Sequence, residues 1–191
     1  SRRTSALCKS WCIPTSISSI KKCRGNLMAT ENKYDVKLIK VVDGDTVDVD
    51  IDLGFGIWLH DERVRIMGID TPESRTRDKV EDLFGEAAKA RVKELFKSEH
   101  VKLITEEDRK GEDMKGKFGR ILGDFELEYK QENNAIVMKR LTQVMIEEGH
   151  AVAYFGGSKE EIQMKHMANR EKLLREGVVD KEEYDRLMGE Q

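Results

Sequence analysis

Five charged residues have side chains that together could hydrolyse a phosphodiester bond. Asp45 and Asp70 offer hard carboxylate oxygens, the ligands that Ca²⁺ and Mg²⁺ prefer. Glu73 follows Asp70 by three residues and could position or deprotonate a water molecule. Arg65 and Arg120 present planar guanidinium groups, whose donors match phosphate oxygens. The sequence therefore predicts metal-assisted attack of water, with the growing charge stabilised by the cation and the arginines.

Short strands are predicted to position these side chains. Strand-like alternation begins at Tyr34, the pair Asp43 and Gly44 predicts a hairpin turn, and a second strand follows over residues 46–52. A third strand over 63–69 ends before Pro72. Further strands are predicted over 101–105 and 119–128, and helices over 85–98, 137–148 and 159–175. This order predicts an α+β fold in which a five-stranded OB-fold β-barrel packs with about three α-helices.

The second predicted strand has one apolar face and one acidic face. Val47, Val49 and Ile51 alternate with Asp48, Asp50 and Asp52, which we interpret as a solvated face. Asp45 lies two residues before Val47, so its side chain is predicted to point to the apolar face. Because burying a bare charge is costly, its carboxylate must be paired, hydrated or bound to a metal.

Four linked motifs resemble those of the staphylococcal nuclease (thermonuclease-like) family. They are VDGDTV at 42–47, VRIMGIDTPE at 64–73, GEAA at 85–88 and KFGR at 117–120. The resemblance extends from about Tyr34 to Arg175 and includes the order and spacing of the motifs. It implies an OB-fold nuclease that uses one Ca²⁺ ion, with Mg²⁺ or Mn²⁺ as substitutes, to hydrolyse DNA and/or RNA.

The resemblance also implies a role for each matching residue. The metal ligands are Asp45, Asp70 and the backbone carbonyl of Thr71. The catalytic set is the acid Glu73 with the phosphate-holding residues Arg65 and Arg120. Substrate binding in the nucleotide pocket falls to Lys117 and Tyr154. Phe118 and Gly156 stand where the namesake nuclease has tyrosines, which leaves the nucleotide preference open.

A second functional hypothesis is a non-catalytic OB-fold module that binds nucleic acid, and a third is a protein-interaction domain with an acidic surface. The presence of all five catalytic and metal-binding side chains favours the nuclease, and no specific motif supports the third hypothesis. Surface or capping roles are predicted for the histidines His60, His100, His150 and His166. Helix packing is predicted for the apolar residues Ile162, Met164, Met167, Leu173 and Leu174.

Charge divides the 191-residue chain into unlike parts. The whole chain has 34 basic and 37 acidic residues, but residues 1–27 contain six of the basic residues, none of the acidic ones and all three cysteines. We interpret 1–27 as a non-native or upstream-translated extension before Met28, with a targeting peptide or a nucleic-acid-binding arm as alternatives. Residues 28–177 are the predicted nuclease domain, and 178–191 are predicted to be an acidic C-terminal tail, in which 180–191 form a mobile acidic helix or tail.

Composition bears on partners and compartment. The sequence has no run of about 18 apolar residues, so no membrane-spanning helix is predicted. The basic start is not followed by the uninterrupted apolar segment that a secretory signal has. We expect DNA and/or RNA as the substrate and a monomer without an obligate protein partner. The location is open, and the missing secretory pattern favours an intracellular one, in a bacterial or phage setting, over a secreted or organellar one.

Overall fold

A computed structural model describes residues 31–106, 119–131, 134–154, 156 and 158–189. The basic extension, its cysteines, Lys117 and Phe118 lie outside these residues. The strands are β1 Glu31–Asp43, β2 Thr46–Asp52, β3 Trp58–Ile66, β4 Ile69–Asp70, β5 Val101–Glu106, β6 Ile121–Lys130, β7 Ile136–Arg140 and β8 Val152–Ala153. The helices are α1 Lys79–Leu95, α2 Leu141–Glu148, α3 Lys159–Arg175 and α4 Lys181–Gly189.

Five strands close into the predicted barrel. The sheet runs β3-β2-β1-β5-β6-β7, and β3 also pairs with β6 in parallel, which completes a ring of β1, β2, β3, β5 and β6. The other neighbouring pairs in this sheet are antiparallel, and β7 extends β6 outside the ring. The α+β class and the OB-like barrel are therefore confirmed.

Strand register gathers the predicted site residues at one end of the barrel. Thr46 at the start of β2 lies opposite Arg65 near the end of β3. Arg65 in turn lies opposite Leu122 of β6, two residues after Arg120. The short strand β4 ends at Asp70, where it pairs with Val152 of β8. Residues far apart in sequence thus meet because these strand ends are neighbours.

Two apolar clusters hold the fold together. The larger fills the barrel and its contact with α1 and α2, where Val47, Val64, Phe125 and Met145 are buried. The smaller joins α1, α3 and α4 through the buried side chains Val80, Phe84, Leu173, Val179 and Leu187. Removing such side chains from water is the main force that stabilises these contacts. Of the helices in the described part of the chain, none combines the length and apolar character needed to cross a membrane.

The helix predicted over 137–148 begins later than expected. Ile136–Arg140 forms strand β7, which pairs with β6 from Glu126↔Arg140 to Lys130↔Ile136. The prediction was wrong there because β-branched Ile136 and Val137 favour a strand where a partner edge is available. Helix α2 starts at Leu141, and its end before Gly149 is the one that was predicted.

Helix α1 begins earlier than predicted, at Lys79 rather than residue 85. The side chain of Asp78 accepts hydrogen bonds from the backbone N–H groups of Val80 at 2.9 Å and Glu81 at 3.2 Å. Such an N-cap satisfies donors that lack partners in the first helical turn. Asp78 was the available sequence signal, since aspartate is a preferred N-cap residue.

The solvated acidic face predicted for β2 needs one correction. Asp48 is buried, and Arg63 of the neighbouring strand donates to both of its carboxylate oxygens, from Nε at 2.7 Å and Nη2 at 2.9 Å. Asp50 and Asp52 are partly exposed. A buried carboxylate is tolerated here because a bidentate guanidinium replaces its lost hydration.

The predictions for the histidines and for the packing residues of α3 are correct for some residues and wrong for others. His150 and His166 are not surface residues: His150 is buried, and the side chain of His166 is 14% exposed. Met164 and Met167 are exposed rather than packed, whereas Ile162 and Leu173 are buried as predicted. The helical period was correct, but the buried face is narrower than the apolar residues alone suggest.

We expect the free energy of unfolding to fall as the pH drops below about 6.5, the ordinary pKa of histidine. Burial lowers the pKa of His150, so the unfolded chain binds a proton before the folded chain does. This contribution to stability is present above that pH and is lost as the pH falls toward the lower folded pKa, by up to about 1.4 kcal/mol per pH unit. Urea unfolding measured from pH 7.5 to 5 gives the free energy of unfolding at each pH. Its decrease with falling pH should be smaller for His150→Gln than for the wild type. An unchanged decrease would contradict this assignment, and exposed His60→Gln is the control.

Candidate active site

A cleft of about 1170 Å³ lies where the strand ends meet. It is lined by six of the predicted site residues: Asp45, Arg65, Asp70, Thr71, Glu73 and Arg120. Tyr154 is elsewhere, since it lines a separate cavity of about 340 Å³ beside Gly68 and Asp124. The structure thus brings the predicted metal-binding and catalytic residues together and does not place Tyr154 with them.

Asp45 is the most buried carboxylate of the predicted set. It receives hydrogen bonds from Thr46 Oγ1 at 2.7 Å on Oδ1 and lies 2.7 Å from Arg65 Nη1 through Oδ2. Burial raises the pKa of Asp45, while the hydrogen bond from Thr46 and the positive charge of Arg65 lower it. The negative charges of Asp43 and Asp70 raise this pKa further. The pairing satisfies the expectation drawn from strand parity. The repulsion shows that negative charge is concentrated beside Asp45.

The segment that contains Thr71 and Glu73 is held against the β1–β2 turn. The backbone N–H of Ser74 donates to Asp43 Oδ1 at 3.1 Å. Gly44 allows the turn to approach Thr71, because a Cβ at residue 44 would come 2.8 Å from Thr71 Oγ1. The turn and the Thr71 segment therefore form one packed unit at the mouth of the cleft.

Helix α1 supports the other side of the same segment. A Cβ at Gly85 would lie 2.6 Å from the backbone oxygen of Glu73 and 2.7 Å from the backbone nitrogen of Ser74. Only glycine fits such an approach, because backbone atoms cannot rotate away as a flexible side chain can. The backbone N–H of Arg75 also donates to Asp82 Oδ1 in the helix. The backbone of Glu73 is thus fixed from two directions.

The cleft is acidic in spite of its arginines. Among the residues that the structure describes, eight carboxylates and five lysine or arginine side chains line it. Arg63 is committed to Asp48 and Arg65 contacts Asp45, so part of the positive charge is already neutralised. A phosphate group entering this cleft meets net negative charge, which a bound cation would offset.

One wall of the cleft comes from α3, for which the sequence pattern predicts only packing. Its residues Lys159, Ile162, Gln163, His166 and Arg170 face the cleft. Each of these residues has another of the set three or four positions away, which places them on one side of a helix. That stripe was the available signal, but periodicity identifies a shared face without showing what the face contacts.

The donor set fits a divalent cation in its charge and chemistry. Asp45 and Asp70 supply hard oxygens and repel one another, which suits a Ca²⁺-type ion. Within the ranges that the structure describes, no group of three or more His, Cys, Asp or Glu side chains is placed to hold an ion. The predicted set contains two carboxylates and one backbone carbonyl. Water and substrate oxygens commonly complete such sites.

The acidic, arginine-containing cleft therefore lies at one end of an OB-like barrel. A family model described as "Staphylococcal nuclease homologue" matches residues 63–189, about two thirds of the chain, and the protein belongs to that family. The chain is also similar to the Thermonuclease of Staphylococcus intermedius, at 36% identity over 95 residues. That alignment covers 49% of this chain and 50% of the relative, so the two match over about half their lengths.

Proposed function

We propose that the protein is a Ca²⁺-dependent nuclease that hydrolyses phosphodiester bonds of DNA and/or RNA by attack of water. The observation that carries this proposal is the single cleft that contains Asp45, Arg65, Asp70, Thr71, Glu73 and Arg120. Membership of the staphylococcal nuclease homologue family and similarity to a protein named Thermonuclease support it. Scattered over the surface, the same side chains would support no common chemistry.

Asp45, Asp70 and the carbonyl of Thr71 would hold the cation. When bound, Ca²⁺ would supply positive charge that draws the phosphate into the acidic cleft and polarises its oxygens. Asp45 is buried and fixed by Thr46, which favours a constant ligand position. Thr71 is buried against Gly44, so the backbone that offers its carbonyl is also held in place.

Glu73 is proposed to orient the attacking water and accept its proton. The side chain lies at the exposed mouth of the cleft, while its backbone packs on Gly85 of α1. This arrangement leaves the carboxylate accessible to water and holds its attachment point still. Position matters because a general base acts only within hydrogen-bond reach of the proton that it removes.

Arg65 and Arg120 are proposed to bind the phosphate and to stabilise the charge that develops on its oxygens. Arg65 is held beside the predicted metal ligand Asp45 by the 2.7 Å contact through Nη1. A guanidinium has five N–H donors, so this one contact leaves it capacity to bind phosphate oxygens. The pairing also keeps a positive charge in place before substrate arrives.

We expect the full chain to cleave plasmid DNA or single-stranded RNA when Ca²⁺ is added and to stop when EGTA removes the ion. Asp45→Asn should lower the cleavage rate by about 100-fold or more, because it weakens the metal site and releases Arg65. Gel-based cleavage kinetics with Ca²⁺, Mg²⁺ and Mn²⁺ measure this, and thermal melting verifies that the variant is folded.

The same assay distinguishes the nuclease from the non-catalytic module that only binds nucleic acid. If the wild type and Asp45→Asn are equally inert with all three ions while both bind single strands in a mobility-shift assay, the protein is a binding module and the nuclease proposal fails. Cleavage that persists unchanged in EGTA would instead contradict its dependence on a metal.

A further inference from the structure

His166 reaches a predicted metal ligand from the helical wall of the cleft. Its Nε2 lies 3.0 Å from Asp70 Oδ2, and its side chain is 14% exposed whereas that of Asp70 is 38% exposed. An ionised carboxylate can only accept hydrogen bonds, so the proton of this contact belongs to the imidazole. The contact therefore needs Nε2–H, which the neutral imidazole provides in one of its two tautomers.

The fold fixes the two partners relative to each other. Asp70 pairs with Val152 of β8, and the chain continues from β8 into α3. The side-chain amide of Asn169 donates to the backbone oxygen of Ala151 at 3.1 Å, which ties the helix back to the start of that strand. Burial of Leu173 against α1 and α4 anchors the far end of α3. His166 is thus presented to Asp70 by a supported element.

The two predicted carboxylate ligands differ in how they are held. Asp45 is oriented by Thr46 and Arg65 and has a side chain that is 11% exposed. In the described part of the chain, the side-chain partner of Asp70 is His166. Without this contact Asp70 would be the more weakly ordered ligand, because it is also the more exposed one.

We propose that His166 is a positioning residue for the metal site, in which its Nε2–H holds Oδ2 of Asp70 and so sets the orientation of the carboxylate toward a divalent cation. This inference rests on the proposed function, which supplies the cation. A fixed carboxylate loses less conformational freedom when it binds an ion. Removing an outer partner of a metal ligand commonly weakens metal binding by about 10–100-fold.

Calorimetric titration of the full chain with CaCl₂ tests this role without using activity. His166→Leu should bind Ca²⁺ about 10–100-fold more weakly than the wild type, because it removes the donor. His166→Gln should recover most of the affinity, because its amide N–H can donate to the same oxygen. His60→Leu is the matched control, since it removes another His–Asp contact, 3.1 Å long, whose two residues do not line the cleft, and it should leave the affinity unchanged.

Thermal melting without metal separates positioning from folding. The variants should melt close to the wild type, and if His166→Leu does not fold, His166→Phe replaces it as a donor-free variant with the same expected loss of affinity. Wild-type Ca²⁺ affinity in the donor-free variant would overturn the proposal, as would equal losses in His166→Gln and His166→Leu. A wild type that binds no Ca²⁺ would overturn the Ca²⁺-dependent function and this role with it. A wild type that binds Ca²⁺ while His166→Leu is unaffected would overturn the positioning role alone.

Discussion

Glu73→Gln is expected to lower the rate of cleavage by about 10²–10⁴-fold, the range typical of losing a general base. Ca²⁺ affinity and polynucleotide binding should stay close to those of the wild type, because Glu73 is proposed to act on water rather than to hold the ion. The amide keeps the size and the hydrogen-bonding surface of the side chain, so the backbone packing against Gly85 is preserved. Single-turnover cleavage together with calorimetric Ca²⁺ titration measures both effects.

Asp70→Asn should behave differently from Glu73→Gln in the same two measurements. Removing a full negative charge beside a divalent ion should weaken Ca²⁺ affinity by about tenfold or more, and cleavage should recover in part at high Ca²⁺. Glu86→Gln is the control, because this carboxylate lies on α1, pairs with Lys89 and should affect neither measurement. Identical Ca²⁺ titrations for Glu73→Gln and Asp70→Asn would contradict the division of roles.

The acidic residues of the chain include two groups, those neutralised by nearby arginines and those that surround the cleft. Residues 28–191 carry 28 basic and 37 acidic residues, which does not favour general attraction to a polyanion. Some acids are neutralised locally, as Asp48 is by Arg63 and Glu148 by Arg91. Others surround the predicted metal site, where burial raises the pKa of Asp45 and repulsion by Asp43 and Asp70 adds to the rise, against the opposing effects of Thr46 and Arg65. Net charge therefore bears on non-specific association, while binding at the site depends on the cation.

Much of the barrel could be predicted because local patterns identify strands and turns. Alternation in β2 placed Asp45 on the buried face, and the need for a partner followed from the cost of burying a charge. The structure supplies that partner as Arg65, which lies opposite Thr46 on the next strand. The pairing depends on register, which the separate strand patterns do not determine.

The less predictable features all depend on contacts between distant segments. β7 forms because the edge of β6 is available to residues that were interpreted as the start of a helix. Asp48 looks like its exposed neighbours in sequence, and only Arg63 explains its burial. His166 was missed for the same reason, since α3 meets Asp70 only after β8 has paired with β4. In each case the tertiary partner decides the role of the residue.

The final prediction concerns a residue that would touch neither metal nor substrate. Gly85→Ala should destabilise the protein by about 1–3 kcal/mol, the usual cost of overpacking. Alanine is a better helix former than glycine by about 1 kcal/mol, so propensity alone predicts the opposite sign. The steric clash should outweigh the gain in helix propensity, because the new Cβ would lie 2.6 Å from the backbone oxygen of Glu73.

The same substitution should also lower cleavage, because α1 and the segment from Thr71 to Ser74 would have to separate. A displacement of about 1 Å at a reacting group can reduce a rate by about 100-fold. Gly189→Ala is the matched control, since Gly189 ends α4 and a Cβ there has open space around it. Urea unfolding and cleavage kinetics on both variants test the argument. A Gly85→Ala protein that is as stable and as active as the wild type would show that α1 does not support Glu73 through this contact.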